Sequence, residues 1–391
     1  MQFTFQPMRQ LQPLWLAALL LIVLSGCAGS AKKTGDITSR FNDDLFPNFQ
    51  QYQLEQPEQI FYLGEEAKAF VDLSKTKHQT DSQNMRHLVN KIFDRAELGL
   101  TYLSNANSVA DTTFLNQQAN CLSLSIMTYA LADYAGYDAV FFEVDIPEYW
   151  TRRDGFSLLN GHINLKIETN ELTSSRMITD FVNVDFDPQD MRKHFKRRAI
   201  GKTRIVAMFY NNIGAEALIN KEFDKAYAYL RGALLTDSTL SDAWVNLGIL
   251  YRMHDAYNDA SNAYKMALTL DTENLTAWEN MAVLYSYSGD EETAANIIQM
   301  IKRRRAENPF YHFILGEQAL DAGKLEDALV FYRRAYKLDG KRHEVLFGLG
   351  KTYYELGDLT KAERFLSLAE RYANDDVAHR YRGKLSFIHS Q

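Results

Sequence analysis

From residue 207 onward, large apolar, small and polar positions recur with a constant period. Trp244, Leu247, Gly248, Tyr251, Ala260, Tyr264 and Ala267 occupy positions 4, 7, 8, 11, 20, 24 and 27 of one unit. The same places hold Trp278, Met281, Ala282, Tyr285, Ala294, Ile298 and Ile301 in the next unit. They then hold His312, Leu315, Gly316, Ala319, Ala328, Tyr332 and Ala335, and finally Leu346, Leu349, Gly350, Tyr353, Ala362, Leu366 and Ala369. One step back gives Ile213, Gly214, Ala217, Ala226, Leu230 and Ala233. Five registers run without a gap: 207–240, 241–274, 275–308, 309–342 and 343–376. The spacing predicts helix pairs in which small residues at 8, 20 and 27 permit close approach and large ones fill the space between. Residues 377–391 read as a helix that caps the last apolar face.

Upstream, the pattern changes. Residues 58–73 and 84–103 carry apolar residues at helical spacing, with Asp81 and Ser82 as candidate N-caps of the second helix. After a polar approach at 112–120, the run CLSLSIMTYALADYA predicts a helix from Cys121 to a stop at Gly136. AVFFEV (139–144), HINLKIE (162–168) and RMITDFVNVD (176–185) read as strands, the last two separated by the polar stretch ETNELTSS. A helix followed by three strands implies an α+β layer with an antiparallel sheet, over about 41–190. Residues 191–206 form a basic connector, read as a solvated helix or as a contact for acidic lipid headgroups.

The period, about 34 residues, and the residue types at its fixed places resemble the tetratricopeptide repeat (TPR). That resemblance implies an all-α superhelix whose concave groove binds a protein or peptide partner. By the family's geometry, positions 2, 5, 9, 12 and 13 of each first helix line the groove. Here these include Val245, Ile249, Arg252, Tyr287, Phe313, Phe347 and Tyr354, with Met208, Met253 and Phe310. The face is apolar and aromatic, which suits an apolar peptide or a partner helix. The alternative is that the chain's own N-terminal domain covers part of it.

Composition adds limits. With 46% hydrophobic and 24% charged residues, the 391-residue chain reads as two globular domains. Its formal net charge of -7 argues against a protein built to grip nucleic acid. No metal-ligand spacing, calcium loop or glycine-rich phosphate loop appears, so no metal or cofactor is expected. The apolar run 14–24 is shorter than the roughly 20 residues that a bilayer requires. With Arg9 before it and small residues after it, residues 1–26 read as a secretory leader. Leu24-Ser25-Gly26-Cys27 resembles a bacterial lipobox, which implies lipidation of Cys27, a tether over 27–40 and a membrane anchor. Ala28 after the cysteine favours, by the same analogy, the outer membrane and a periplasm-facing domain.

Besides Cys27 the chain has one cysteine, Cys121, at the start of a predicted helix. Partial positive charge there stabilises a thiolate. A nucleophilic thiol requires a base, and the base an orienting group. His162 opens one predicted strand and Asp185 ends the next. At Asn120-Cys121, GHINLKI and VNVDFDP the chain resembles the transglutaminase-like (papain-like) superfamily of thiol enzymes. The resemblance implies Cys121 as nucleophile, His162 as general base and acid, and Asp185 as the residue that orients the imidazole. Asp187, before Pro188, competes for that last role; Asp185 is preferred because it directly follows the apolar strand residues. The chain departs from the family in having Ile163 and Asn164 where an aromatic residue usually follows the histidine. Gln117 and Gln118 are candidate oxyanion donors beside the Cys121 backbone N–H. The loop 145–160, with Tyr149, Trp150, Arg152 and Arg153, reads either as a cover for the site or as plain surface. Two functions follow: an anchored peptidase, amidase or transamidase working through a Cys121 acyl-thioester, or a non-catalytic envelope scaffold.

Overall fold

A computed structural model describes residues 37–94, 97–153, 156–173, 176–185, 195–373, 377–379, 381–382 and 385. The leader, Cys27, most of the tether and Asp187 lie outside the described residues. The chain forms two units, Met1–Phe41 and Asn42–Gln391. The first contains a 3-10 turn at Ile37–Arg40. No helix among the described residues is long and apolar enough to cross a membrane.

In the second unit, helices α1 (Pro57–Ile60), α2 (Glu65–Ser74) and α3 (Asp81–Phe93) lead to strand β1 (Thr101–Tyr102). Helix α3 is capped by Thr80, whose hydroxyl accepts from Gln83 N while the Gln83 side chain returns to Thr80 N. The reciprocal Thr-x-x-Gln box thus places the cap one residue before Asp81. The helix stops at Phe93, ten residues short of the apolar pattern. Gly99 beyond it adopts a left-handed φ of 64°, which ends any helical continuation.

Next come α4 (Ala110–Asn116), β2 (Gln118–Ala119), α5 (Cys121–Tyr134) and β3 (Asp138–Val144). A hairpin of β4 (Tyr149–Arg153) and β5 (Phe156–Asn160) precedes β6 (Ile163–Thr173), β7 (Arg176–Asp185) and β8 (Arg197–Ile200). The main sheet is antiparallel, in the order β7-β6-β3-β8. Helix α5 packs on β3 and β6, with Tyr129 stacked on Phe141 at 4.7 Å between ring centroids. The polar stretch expected to separate the last two strands instead extends them, so Thr173 pairs with Arg176. Residues Arg197–Ile200 of the basic connector form the edge strand β8 rather than a helix, and only its last residues, from Lys202, are helical. Arg198 pairs with Glu143 at 2.5 Å and Arg197 lies over the Phe142 ring, which lets a basic segment join the sheet.

Among the described residues, five helix pairs follow: α6 (Lys202–Ile219) and α7 (Phe223–Thr236), α8 (Ser241–Met253) and α9 (Tyr257–Leu270), α10 (Leu275–Tyr287) and α11 (Glu291–Arg305), α12 (Pro309–Asp321) and α13 (Leu325–Leu338), α14 (His343–Glu355) and α15 (Leu359–Tyr372). From α8 on, first helices start at Ser241, Leu275, Pro309 and His343, each one full repeat after the last. The small residues explain the close packing. A Cβ on Gly316 would stand 2.6 Å from Tyr332, and one on Gly350 2.7 Å from Leu366. The Trp244 indole donates to Ser238 O at 2.9 Å, and one repeat later Trp278 donates to Thr272 O at 3.0 Å. Helix α6 starts at Lys202, five residues before the repeat register, after Gly201. Past α15, Tyr381 is buried and stacks on Phe347 at 4.6 Å.

The segment 42–55 wraps the first two helix pairs, a role its sequence does not announce. Asn42 N donates to Tyr251 Oη at 3.0 Å, and Asp43 accepts from Tyr227 Oη at 2.6 Å and Arg231 Nε at 2.9 Å. Phe46, 1% exposed, stacks on Tyr227 at 4.4 Å. A Cβ on Gly232 would collide with Leu54, so glycine makes room for the wrap.

Candidate functional site

The approach to Cys121 is held on several sides. Gln117 takes a left-handed φ of 54° as the C-cap of α4, and the chain then pairs in parallel with β1 through Gln118 and Ala119. Asn120 caps α5, its Oδ1 accepting from Ser123 N at 2.9 Å while its Nδ2 donates to Asn107 Oδ1 at 2.6 Å. Cys121 is therefore the first residue of a fourteen-residue helix, half-buried, with Sγ 3.8 Å from Tyr102 Oη. At that position its backbone N–H has no helical acceptor, and the helix dipole favours negative charge. Gln117 and Gln118 are exposed.

His162 sits where β3 and β6 meet. Its carbonyl accepts from Val144 N at 3.0 Å, next to the Glu143–Ile163 pair, and the residue is buried at 6% exposure. Asp185 ends β7 opposite Asn164, two residues along the neighbouring strand from His162. Its backbone is thus at the histidine end of the sheet. Cys121 and His162 line the same cavity, of about 1460 Å³.

The far wall of that cavity is the inner face of the helix pairs. Val245, Ile249 and Arg252 line it, as do Met208, Met253 and Phe310. Phe313, Phe347 and Tyr354 pack instead against the core of the last two pairs, and Tyr287 is 63% exposed beside Tyr257. The inner face of the first pairs thus looks onto the chain's own cysteine and histidine.

Charge in the cavity is arranged rather than scattered. Asp242 and Asp271 have raised carboxyl pKa values. Desolvation is the larger cause in both, followed by the nearby Glu143 for Asp242 and Asp145 for Asp271. Asp242 is itself an exposed residue in the cavity lining. Asp237, which pairs with the lining residue Arg204 but does not itself line the cavity, goes the other way. Burial pushes its carboxyl up, but the Thr239 hydroxyl and N–H, with Arg204 at 3.0 Å, outweigh this and hold it low. Among the described residues no group of three or more His, Cys, Asp or Glu is placed to hold a metal ion.

Sequence reasoning missed an ion pair in the cavity wall. Arg305, 3% exposed, donates through Nε and Nη2 to both oxygens of Glu148 at 2.7 Å, and through Nη1 to Glu279 at 2.8 Å. Burial opposes its charge; Glu148 and then Glu279 overcome this, so its pKa is raised. A signal existed. Asp237, Asp271 and Asp339 hold the same repeat position at the ends of second helices, and the third repeat has Arg305 at that place. The hairpin expected either to cover the site or to be plain surface borders the cavity through Tyr149, Trp150 and Leu159.

Residues 319–385 match the tetratricopeptide repeat family. The region is a helical, TPR-like array, the architecture of a protein-binding module. Solved structures that resemble part of the chain include YrrB, described as a TPR protein with an unusual peptide-binding site. It is 21% identical over 46% of this chain and 92% of that one, with a TM-score of 0.26. PilF of Pseudomonas aeruginosa is 17% identical over 48% of this chain and 94% of that one, with a TM-score of 0.29. MamA is 19% identical over 44% of this chain and 93% of that one, with a TM-score of 0.25. No curated protein matches the chain.

Proposed function

We propose that this protein is a lipid-anchored thiol enzyme of the bacterial envelope, and that its TPR array forms part of the substrate site. The observation that carries the reading is the shared cavity: Cys121, His162 and the inner face of the first helix pairs border one space. At about 1460 Å³ it exceeds the usual range for small-molecule pockets, about 300–1,000 Å³, and suits a polypeptide segment. Support for the chemistry comes from the order of elements: cysteine at a helix start, histidine at a strand start, and Asp185 on the paired strand. In this reading residues 41–190 form a transglutaminase-like domain and 207–376 five TPR repeats. Anchoring through Cys27 to the outer membrane, facing the periplasm, rests on the lipobox resemblance.

The chemistry follows from those positions. His162 takes the Cys121 proton, and the thiolate attacks an amide or ester carbonyl of the bound segment. The Cys121 N–H faces the developing oxyanion. His162 returns the proton to the leaving group, and water or an amine releases the acyl group from sulfur. Asp185 orients the imidazole. The second reading, a non-catalytic scaffold, is favoured by the contact at 3.8 Å in which the Cys121 thiol donates to Tyr102 Oη, the behaviour of a neutral thiol.

Peptidyl chloromethyl ketones of increasing length test the proposal on a Cys27→Ser chain. Longer peptides should alkylate Cys121 faster, and Ile249→Asp should erase the dependence on length. Rates independent of both length and Ile249 would separate the repeats from the site and overturn the reading.

A further inference from the structure

The β4–β5 hairpin is bound to the repeats as a peptide ligand would be. Glu148 offers its carboxylate to Arg305, and its backbone carbonyl accepts from Asn308 Nδ2 at 2.8 Å. Tyr149 meets Phe310 edge to face at 4.8 Å. Trp150, 7% exposed, lies under the Arg305 guanidinium at 4.9 Å. Side-chain charge, main chain and two rings are all read by one surface.

Two further observations make this contact exchangeable. Strands β4 and β5 pair with each other in a sheet separate from the main one, and an isolated two-stranded hairpin is marginal in water. Its order therefore depends on docking. Arg305 has a second carboxylate, Glu279 on α10, so the guanidinium keeps its place and charge when Glu148 leaves.

We propose that the surface around Arg305 is a docking site for a partner polypeptide carrying an acidic residue followed by aromatic ones. Glu148-Tyr149-Trp150 occupies it as a self-ligand, and exchange with the partner opens the Cys121 cavity. The proposal stands whether or not Cys121 is catalytic, because access to the thiol reports the exchange.

The test uses the Cys27→Ser chain, with Cys121 as the sole thiol, and a synthetic peptide of residues 146–153. The peptide should speed reaction of Cys121 with a polyethylene-glycol maleimide by about tenfold while leaving the iodoacetamide rate unchanged. A labelled peptide should bind the Glu148→Gln/Trp150→Ala variant, whose own hairpin is undocked, and Arg305→Met should weaken that binding about tenfold or more. Should Arg305→Met fail to fold, a peptide with lysine in place of its glutamate makes the same test on intact protein and should not bind. The idea is overturned if the peptide neither binds the undocked variant nor changes maleimide access, or if the lysine peptide binds equally well.

Discussion

The helix pairs and the α+β region are built on opposite principles. Each pair meets mainly its neighbours, so Tyr332 packs over the glycines of its own and the next unit, and a small residue under a large one recurs from repeat to repeat. The site is assembled from distant parts: Glu148 and Arg305 are 157 residues apart, and the Phe46–Tyr227 stack joins the start of the unit to its second repeat helix. The repeats can therefore tolerate local loss, whereas the site depends on both halves holding together.

Trp244→Ala should have the largest effect, lowering stability by about 4 kcal/mol through the cavity it leaves. Chemical denaturation should show that loss. Protection of Cys121 from a bulky maleimide should fall with it, because Val245 and Ile249 on the same helix wall the cavity. A site still protected after this change would break the dependence drawn here. Phe46→Ala should cost about 3 kcal/mol, by loss of a fully buried ring. Glu148→Gln should cost about 2 kcal/mol, less than a fully broken buried pair because Glu279 still faces Arg305. Asp290→Ala removes the carboxylate that accepts from Thr293 N at 3.1 Å and caps α11. A loss of about 1 kcal/mol should follow, confined to the repeats and without effect on Cys121.

The last change should be a gain. Because the Asp242 carboxyl is raised in the fold, the folded chain still holds a proton at pH values where the unfolded chain has released it. This group therefore weakens folding as pH rises through the carboxylate range, and the penalty remains in full above the raised value. Asp242→Asn should raise Tm at neutral pH, and the gain should disappear as pH falls below the ordinary carboxylate range.

The repeats were legible because close packing demands small residues at fixed intervals, and those intervals set the helix limits from Ser241 to Tyr372. The cysteine helix and its neighbouring strands were legible through Gly136, which takes a φ of 87°, and through the alternation around His162. Other features were not. The first wrap around the repeats hides in 42–55 because the partners of Phe46 are far away in sequence. Strand β8 reads as solvated charge until Glu143 and Phe142 are beside it. Arg305 carried its signal only as a break in a row of aspartates.

The central claim is that Cys121 and His162 form one reactive pair within the cavity. Alkylation of Cys121 by iodoacetamide as a function of pH, in the Cys27→Ser chain beside its His162→Ala and Asp185→Asn variants, tests it most directly. The account predicts rapid reaction below about pH 7 that slows when His162 is removed, against an ordinary thiol pKa of about 8.5. Reaction only near or above that value, unchanged by the loss of His162, would contradict it.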